Sequence, residues 1–173
     1  MQIIDDKVRT HLGSYIFQCF LATLTLLAVL IFLNVLEETA IIAALGASAF
    51  IVFTMPNMYS SDPRRLIGGY IIGIVVGISF YFISNNDFIE SLVMSENTSL
   101  IFFGALAVGI SILLMTVTNT EHAPAAGIAL GLVINEWTQI TILFIFCAML
   151  WMAGVRKLLK PHLMNLTSPE NDR

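Results

Sequence analysis

Charge is what this chain has least of. Its 173 residues include eight Lys and Arg and twelve Asp and Glu, so charged side chains make up 12% of the total, and mean hydropathy is +0.86. That balance excludes an ordinary water-soluble domain, which needs about 25% charged residues to keep its surface hydrated. Glycine-rich nucleotide loops of the Walker or dinucleotide type are absent, and the few basic residues form no nucleic-acid surface. Cysteine is equally scarce. Cys19 and Cys147 both fall in apolar runs, where a cysteine behaves as a small hydrophobe, so they say nothing about redox compartment. The methionines show no metal-ligand spacing, and neither a metal nor any other cofactor is expected.

The charges that are present come in clusters: Asp5 to Arg9, Glu37-Glu38, Asp62 to Arg65, Asp87 to Glu96, Glu121, Glu136, Arg156 to Lys160 and Glu170 to Arg173. The segments between them predict an all-α, polytopic transmembrane helix bundle. Ser14 to Leu36, Leu66 to Ile83, Leu100 to Thr118 and Trp137 to Val155 are long enough as helices to cross roughly 30 Å of hydrocarbon. Ala40 to Met55 and Ala123 to Val133 are shorter, at roughly 24 and 16 Å. The first long run is too long for the apolar core of a secretory signal and lacks a small-x-small cleavage site, which makes it a retained helix.

Lys and Arg near span ends favour the cytoplasmic side. If the short segments also cross, giving six in all, then all eight Lys and Arg lie inside and the outer face carries Glu37, Glu38, Asp87, Glu90, Glu96 and Glu136. If the short segments turn back, Arg64 and Arg65 are left outside. Six segments, four long and two short, are therefore expected. Residues 1–13 and 156–173 form cytoplasmic ends around a membrane domain at 14–155.

A shift of 81 positions lays Cys19–Leu36 on Leu100–Val117, Thr39 on Thr120, and Ala44–Ala49 on Ala125–Leu130. Long helix, polar break, short small-residue helix and long helix thus occur twice, at about 14–83 and 100–155. With three crossings each, the two copies would be inverted repeats, a plan used by many transporters. Gly69, Gly73 and Gly77 form a small-residue ridge on the third segment. Ala40, Ala44 and Ser48 form one on the first short segment, and Ala123, Gly127 and Gly131 one on the second, as close helix packing in lipid requires.

The start of a short helix carries unpaired N–H groups and a partial positive charge into the membrane, where an anion can bind. Thr39 and Thr120 are expected N-caps, and Pro124 suits a first helical turn. The expected substrate-binding residues are Thr39, Gly46, Ala47, Ser48, Thr120, His122, Ala123, Pro124 and Gly127, with the two helix starts approaching the midplane from opposite faces. Glu121 and His122 form a candidate proton relay, and Arg64 and Arg65 a basic inner mouth. The stretch from Thr120 to Pro124 can also be read as a solvent-exposed interhelix loop with a capped helix start.

Leu45–Ala49, Pro63-Arg64 with Ile67–Gly69, and His122-Ala123-Pro124-Ala125-Ala126-Gly127, in that order, resemble the HPP family of integral membrane proteins, named for a His-Pro-Pro motif. Ala123 stands where the first of the family's prolines would be. The resemblance implies a compact module described with four helices, where the charge pattern argues for six, and implies transport of nitrite. The expected function is a channel or transporter for a small monovalent anion such as nitrite, not an enzyme. A non-transporting scaffold or sensor subunit is the alternative. An intramembrane serine-histidine dyad of Ser48 and His122 is a third reading, which no oxyanion loop in the sequence supports. Lipid, a small inorganic anion and further copies of the chain are the expected partners, without nucleic acid. A bacterial inner membrane is the expected location, with both termini cytoplasmic, because no Ser/Arg-rich transit segment is seen. A cysteine introduced at Asp62 should react with an impermeant thiol reagent only from the cytoplasmic side. Labelling from the opposite side would restore re-entrant short segments.

Overall fold

The computed structural model describes residues 6–32, 38–86 and 96–167. Glu37, Asp87, Glu90, Arg173 and the 33–36 end of the first span lie outside the described residues. Six α-helices account for nearly all of the described chain: α1 Asp6–Phe32, α2 Thr39–Thr54, α3 Pro63–Ser84, α4 Glu96–Val117, α5 Ala123–Ile134 and α6 Gln139–Leu159. Short 3-10 turns at Tyr59–Ser61 and Lys160–His162 complete it, and no strand is formed among the described residues. Four of the helices (α1, α3, α4 and α6) are long and apolar enough to cross a membrane. At 1.5 Å per residue α2 and α5 are about 24 and 18 Å long, so the turns that flank α5 sit within the thickness the long helices span.

Each boundary has a local cause. Asp62 caps α3 by accepting from the Arg64 N–H at 2.9 Å, and Pro63 fills the first turn, where a missing N–H breaks no bond. At the end of α4, Asn119 takes the left-handed conformation at φ 57°. The Asn119 N–H then reaches the Thr116 carbonyl at 3.2 Å and the Thr120 N–H the Met115 carbonyl at 2.9 Å, a Schellman ending built on the residue type that, after glycine, best tolerates that conformation. Thr138 and Thr141 make a reciprocal capping box at the start of α6. The N-caps of α2 and α5 are Glu38 and His122 rather than the expected Thr39 and Thr120. Thr39 is the first helical residue of α2. The Thr120 hydroxyl instead pairs with Thr118 at 2.8 Å, while its methyl group lies under Gly68.

Side-chain contacts separate the bundle's two ends. At one end Tyr15 of α1 donates to the Leu166 carbonyl, Gln18 donates to the carbonyls of Phe53 and Met164, and Arg156 donates twice to the Pro56 carbonyl at 3.1 and 2.7 Å. Arg65 joins Asn119 and Glu121 at this same end. At the other end Thr141 donates to Glu38, Ser99 donates to the Ser84 carbonyl, and Trp137 packs on Tyr81 and Phe82. Successive helices therefore run in opposite directions, and each short helix, with its flanking turns, connects a long helix at one end to a long helix at the other.

The core is built on α5. It packs against α2, α3 and α4; α3 also packs on α4 and α6, α2 on α1 and α6, and α1 touches α6. Exchanging α1–α3 with α4–α6 maps this set of neighbours onto itself. Small residues permit the approach. A Cβ on Gly69 would stand 2.9 Å from the His122 Cβ, one on Gly77 3.0 Å from the Ala129 Cα, and one on Gly73 would collide with the Ala125 carbonyl oxygen. Gly127 faces Ala44, and Gly131 faces Ile41, which sets α2 and α5 antiparallel along their length. Cys19 and Cys147 are exposed on the outer face rather than packed inside.

Gly73→Ala should lower stability in detergent by about 1–3 kcal/mol, the cost of overpacking against backbone. Gly109 of α4 has nothing within 4 Å of its virtual Cβ, so Gly109→Ala should leave stability unchanged or raise it by up to about 1 kcal/mol. Thermal unfolding of the two variants side by side checks this. Equal effects would contradict the packing described.

Candidate functional site

Where α2, α3 and α5 meet near the Arg65 end, three polar side chains are fully buried. Ser48 lies on α2, Tyr70 on α3, and His122 caps α5; each has 0% exposure. The Ser48 hydroxyl is 2.7 Å from the Tyr70 hydroxyl and 2.8 Å from His122 Nε2. His122 Nδ1 lies 3.1 Å from the Ser60 carbonyl oxygen, and the Tyr70 and His122 rings stack at a tilt with centroids 5.6 Å apart.

Counting hydrogens gives the chain a direction. A carbonyl only accepts, so His122 Nδ1 carries a hydrogen and donates to Ser60. A neutral imidazole then offers Nε2 as acceptor to the Ser48 hydroxyl, and Ser48 accepts from Tyr70. Run the other way, with a hydrogen on both ring nitrogens, the Tyr70 hydrogen has no acceptor among the described residues and a positive charge is buried without a counter-ion. The closed arrangement is therefore Tyr70 to Ser48 to His122 to Ser60, each hydrogen used once.

A charged layer lies on the outer side of this chain. Arg65, on the first turn of α3, pairs with Glu121, donates to the Asn119 Oδ1 at 2.5 Å and stacks over the Tyr59 ring at 4.6 Å. Glu121 is 39% and Arg65 19% exposed at the side chain, so the layer reaches the surface while His122, next in sequence, does not. The backbone explains the divergence: His122 is extended, at φ −138° and ψ 95°, so adjacent side chains point apart.

Of the residues expected from sequence, Ser48 and His122 meet directly. Pro124 is buried in the first turn of α5, Thr120 is buried just before it, and Gly127 lines the α2–α5 contact. The others are elsewhere. Thr39 is exposed at the opposite end of α2, roughly 14 Å along the helix from Ser48. Gly46 faces Leu26 of α1, while Ala47 and Ala123 are exposed on the outside of the bundle. The two short helices start from opposite ends, as expected, but their N-termini do not converge on a middle site, because α2 and α5 pair antiparallel along their length. The Glu121–His122 relay is not formed either: both ring nitrogens of His122 are engaged by Ser48 and Ser60, and Glu121 turns to Arg65. Of the two expected basic residues, Arg65 joins the charged layer with Glu121 and Asn119, whereas Arg64 is exposed.

Tyr70 and Ser60 were not singled out in the sequence. Tyr70 had a signal: a tyrosine beside Gly69 in the aliphatic first half of its span needs an internal partner for its hydroxyl. Ser60 acts through its main chain and left none. At the far end Glu38, 5% exposed, accepts from Thr141 at 2.6 Å, so each end of the α2–α5 pair holds a buried titratable group.

No solved structure is similar to this chain. A curated transmembrane protein of Dictyostelium discoideum is 30% identical over 112 residues, which cover 63% of this chain and 36% of that protein. The chain thus spans about a third of its relative's length. Residues 7–168 match the family described as HPP, transmembrane region, and with that match running from the start of α1 to the tail, the chain belongs to the HPP family of integral membrane proteins.

Proposed function

We propose that the protein moves a small monovalent anion, nitrite being the first candidate, across a bacterial plasma membrane, and that Ser48, Tyr70 and His122 form its central polar contact. The observation that carries this reading is the fully buried hydrogen-bonded trio at the junction of both short helices with α3. Intramembrane polar groups at a helix crossing are costly to keep, and mark substrate pathways more often than packing. The trio sits beneath a mouth that contains Arg65, whose guanidinium suits a planar anion. The Gly127 and Gly131 faces against Ala44 and Ile41 form a smooth seam along which α2 and α5 can part.

The invariance of the helix neighbours on exchanging the two halves supports the inverted-repeat plan, in which one half rocks against the other. The end that holds Arg65, Arg156, Lys157 and Lys160 is read as cytoplasmic. Ser48 and His122 are read as a binding pair and not a nucleophile with its base. The Ser48 oxygen accepts from Tyr70 and its hydrogen goes to His122 Nε2, so the trio is closed to any ligand until α2 and α5 part. Further copies of the chain and surrounding lipid are the partners proposed for so small a bundle.

Purified protein in liposomes should carry nitrite, and a panel with nitrate, formate and chloride defines its selectivity. Losing one hydrogen bond of about 1–3 kcal/mol weakens a contact about 5- to 150-fold. Ser48→Ala and His122→Ala should therefore reduce flux by that order while the protein still elutes as a monodisperse species. If none of the four anions moves, transport is wrong and a scaffold role takes its place.

A further inference from the structure

Every hydrogen of the buried trio is committed in the closed protein. Tyr70 donates to Ser48, Ser48 to His122 Nε2, and His122 Nδ1 to the Ser60 carbonyl, so no donor is left for an anion. An anion that reaches Tyr70 meets only the oxygen of a hydroxyl whose hydrogen points away. A proton that reaches His122 alone fares no better: it turns Ser48 and Tyr70 around, strands the Tyr70 hydrogen and leaves a cation buried. Together the two satisfy one another.

We propose, on the basis of the transport reading above, that the anion is carried with one proton, held as a new N–H bond on His122. A proton arriving with the anion bonds to the Tyr70 oxygen, the former Tyr70 hydrogen passes to Ser48, and the Ser48 hydrogen passes to Nε2. Each O–H broken is replaced by one formed, and the net gain is a single N–H. The Tyr70 hydroxyl now points away from Ser48 and donates to the anion. The imidazolium and the anion cancel in charge, and release runs the same steps backwards on the other side.

The surroundings leave this balance undisturbed. Facing His122, α2 offers the uncharged Ser48, α3 offers Tyr70 and, toward the mouth, Arg65, and the connection into α5 offers Glu121, already paired with Arg65. Met115 of α4 lies beside Gly69 and is uncharged; Asp62 caps α3, and Arg156 of α6 is turned to the Pro56 carbonyl. Among the described residues no fixed unpaired charge stands next to the imidazole, so the counter-ion must come from the cargo.

The test uses the full chain in liposomes with nitrate as probe, because nitric acid is too strong to cross lipid as a neutral molecule. Potassium and valinomycin set the voltage, and an internal dye reports protons. The expected result is nitrate uptake driven by an inside-alkaline gradient and indifferent to voltage, with one proton entering per nitrate. If nitrate is not a cargo, nitrite is used with the leak of protein-free vesicles subtracted. His122→Gln, which keeps hydrogen-bonding capacity but holds no proton, should lose the response to the gradient. Uptake that follows voltage and moves no protons, or a His122→Gln protein that accumulates anion under the pH gradient as the parent does, overturns the proton coupling and leaves transport standing. No movement of any anion under either force removes both.

Discussion

Inside hydrocarbon a polar group has no water to turn to, and each one left without a partner costs several kcal/mol. Long helices meet that constraint by themselves, since their backbone bonds close within the segment. A helix of 12 residues cannot, because its ends fall within the membrane's thickness. Much of the architecture follows from supplying partners to those ends. Asn119 closes α4 by a Schellman turn, Pro124 removes one N–H from the start of α5, and Trp137 donates to the Leu132 carbonyl at its end. His122, placed at the very start of α5, is satisfied only by reaching across to α2 and to the turn before α3.

That reach depends on the glycines. Gly68, Gly69 and Gly73 bring α3 against Thr120, His122 and the Ala125 backbone, and Gly127 lets α5 lie on Ala44. With side chains at these positions the helices would separate, and hydrogen bonds of 2.7 to 3.1 Å among Tyr70, Ser48, His122 and Ser60 would be lost. Packing and site are thus one device: the ridges that hold the bundle together also set the register that places a hydroxyl opposite an imidazole. Arg65, Glu121 and Asn119 tie the two adjoining turns together over it.

Much of this was legible in the sequence because lipid makes simple demands. Charge-free length marked five of the helices to within about four residues, while α1 begins eight residues before its apolar run, at Asp6, and spacing marked the small-residue ridges that do meet. Ser48 and His122 stood out as polar groups beside such ridges. What stayed hidden depended on helix rotation and on which helices touch. Thr39, Gly46, Ala47 and Ser48 were expected to act together, yet of these four only Ser48 turns inward to His122 at the start of α5, while Gly46 meets α1 and Ala47 faces outward. The opposite direction of α2 and α5 followed from the count of crossings, but their direct contact and its register come from side-chain fit between Ile41 and Gly131 and between Ala44 and Gly127, which neither segment's own pattern encodes. Glu121 and His122 are neighbours in sequence but point apart because His122 is extended.

The central claim is that His122 is a neutral, directed link in a closed chain, with hydrogen on Nδ1 and an accepting Nε2. Nitrogen-15 magnetic resonance of histidine-labelled protein in lipid, with the His122 signals assigned by loss in His122→Gln, reads this directly. A protonated Nδ1 and an unprotonated, hydrogen-bonded Nε2 are expected at neutral pH in the absence of anion. A hydrogen on Nε2, with Nδ1 bare or with both nitrogens protonated, would contradict it.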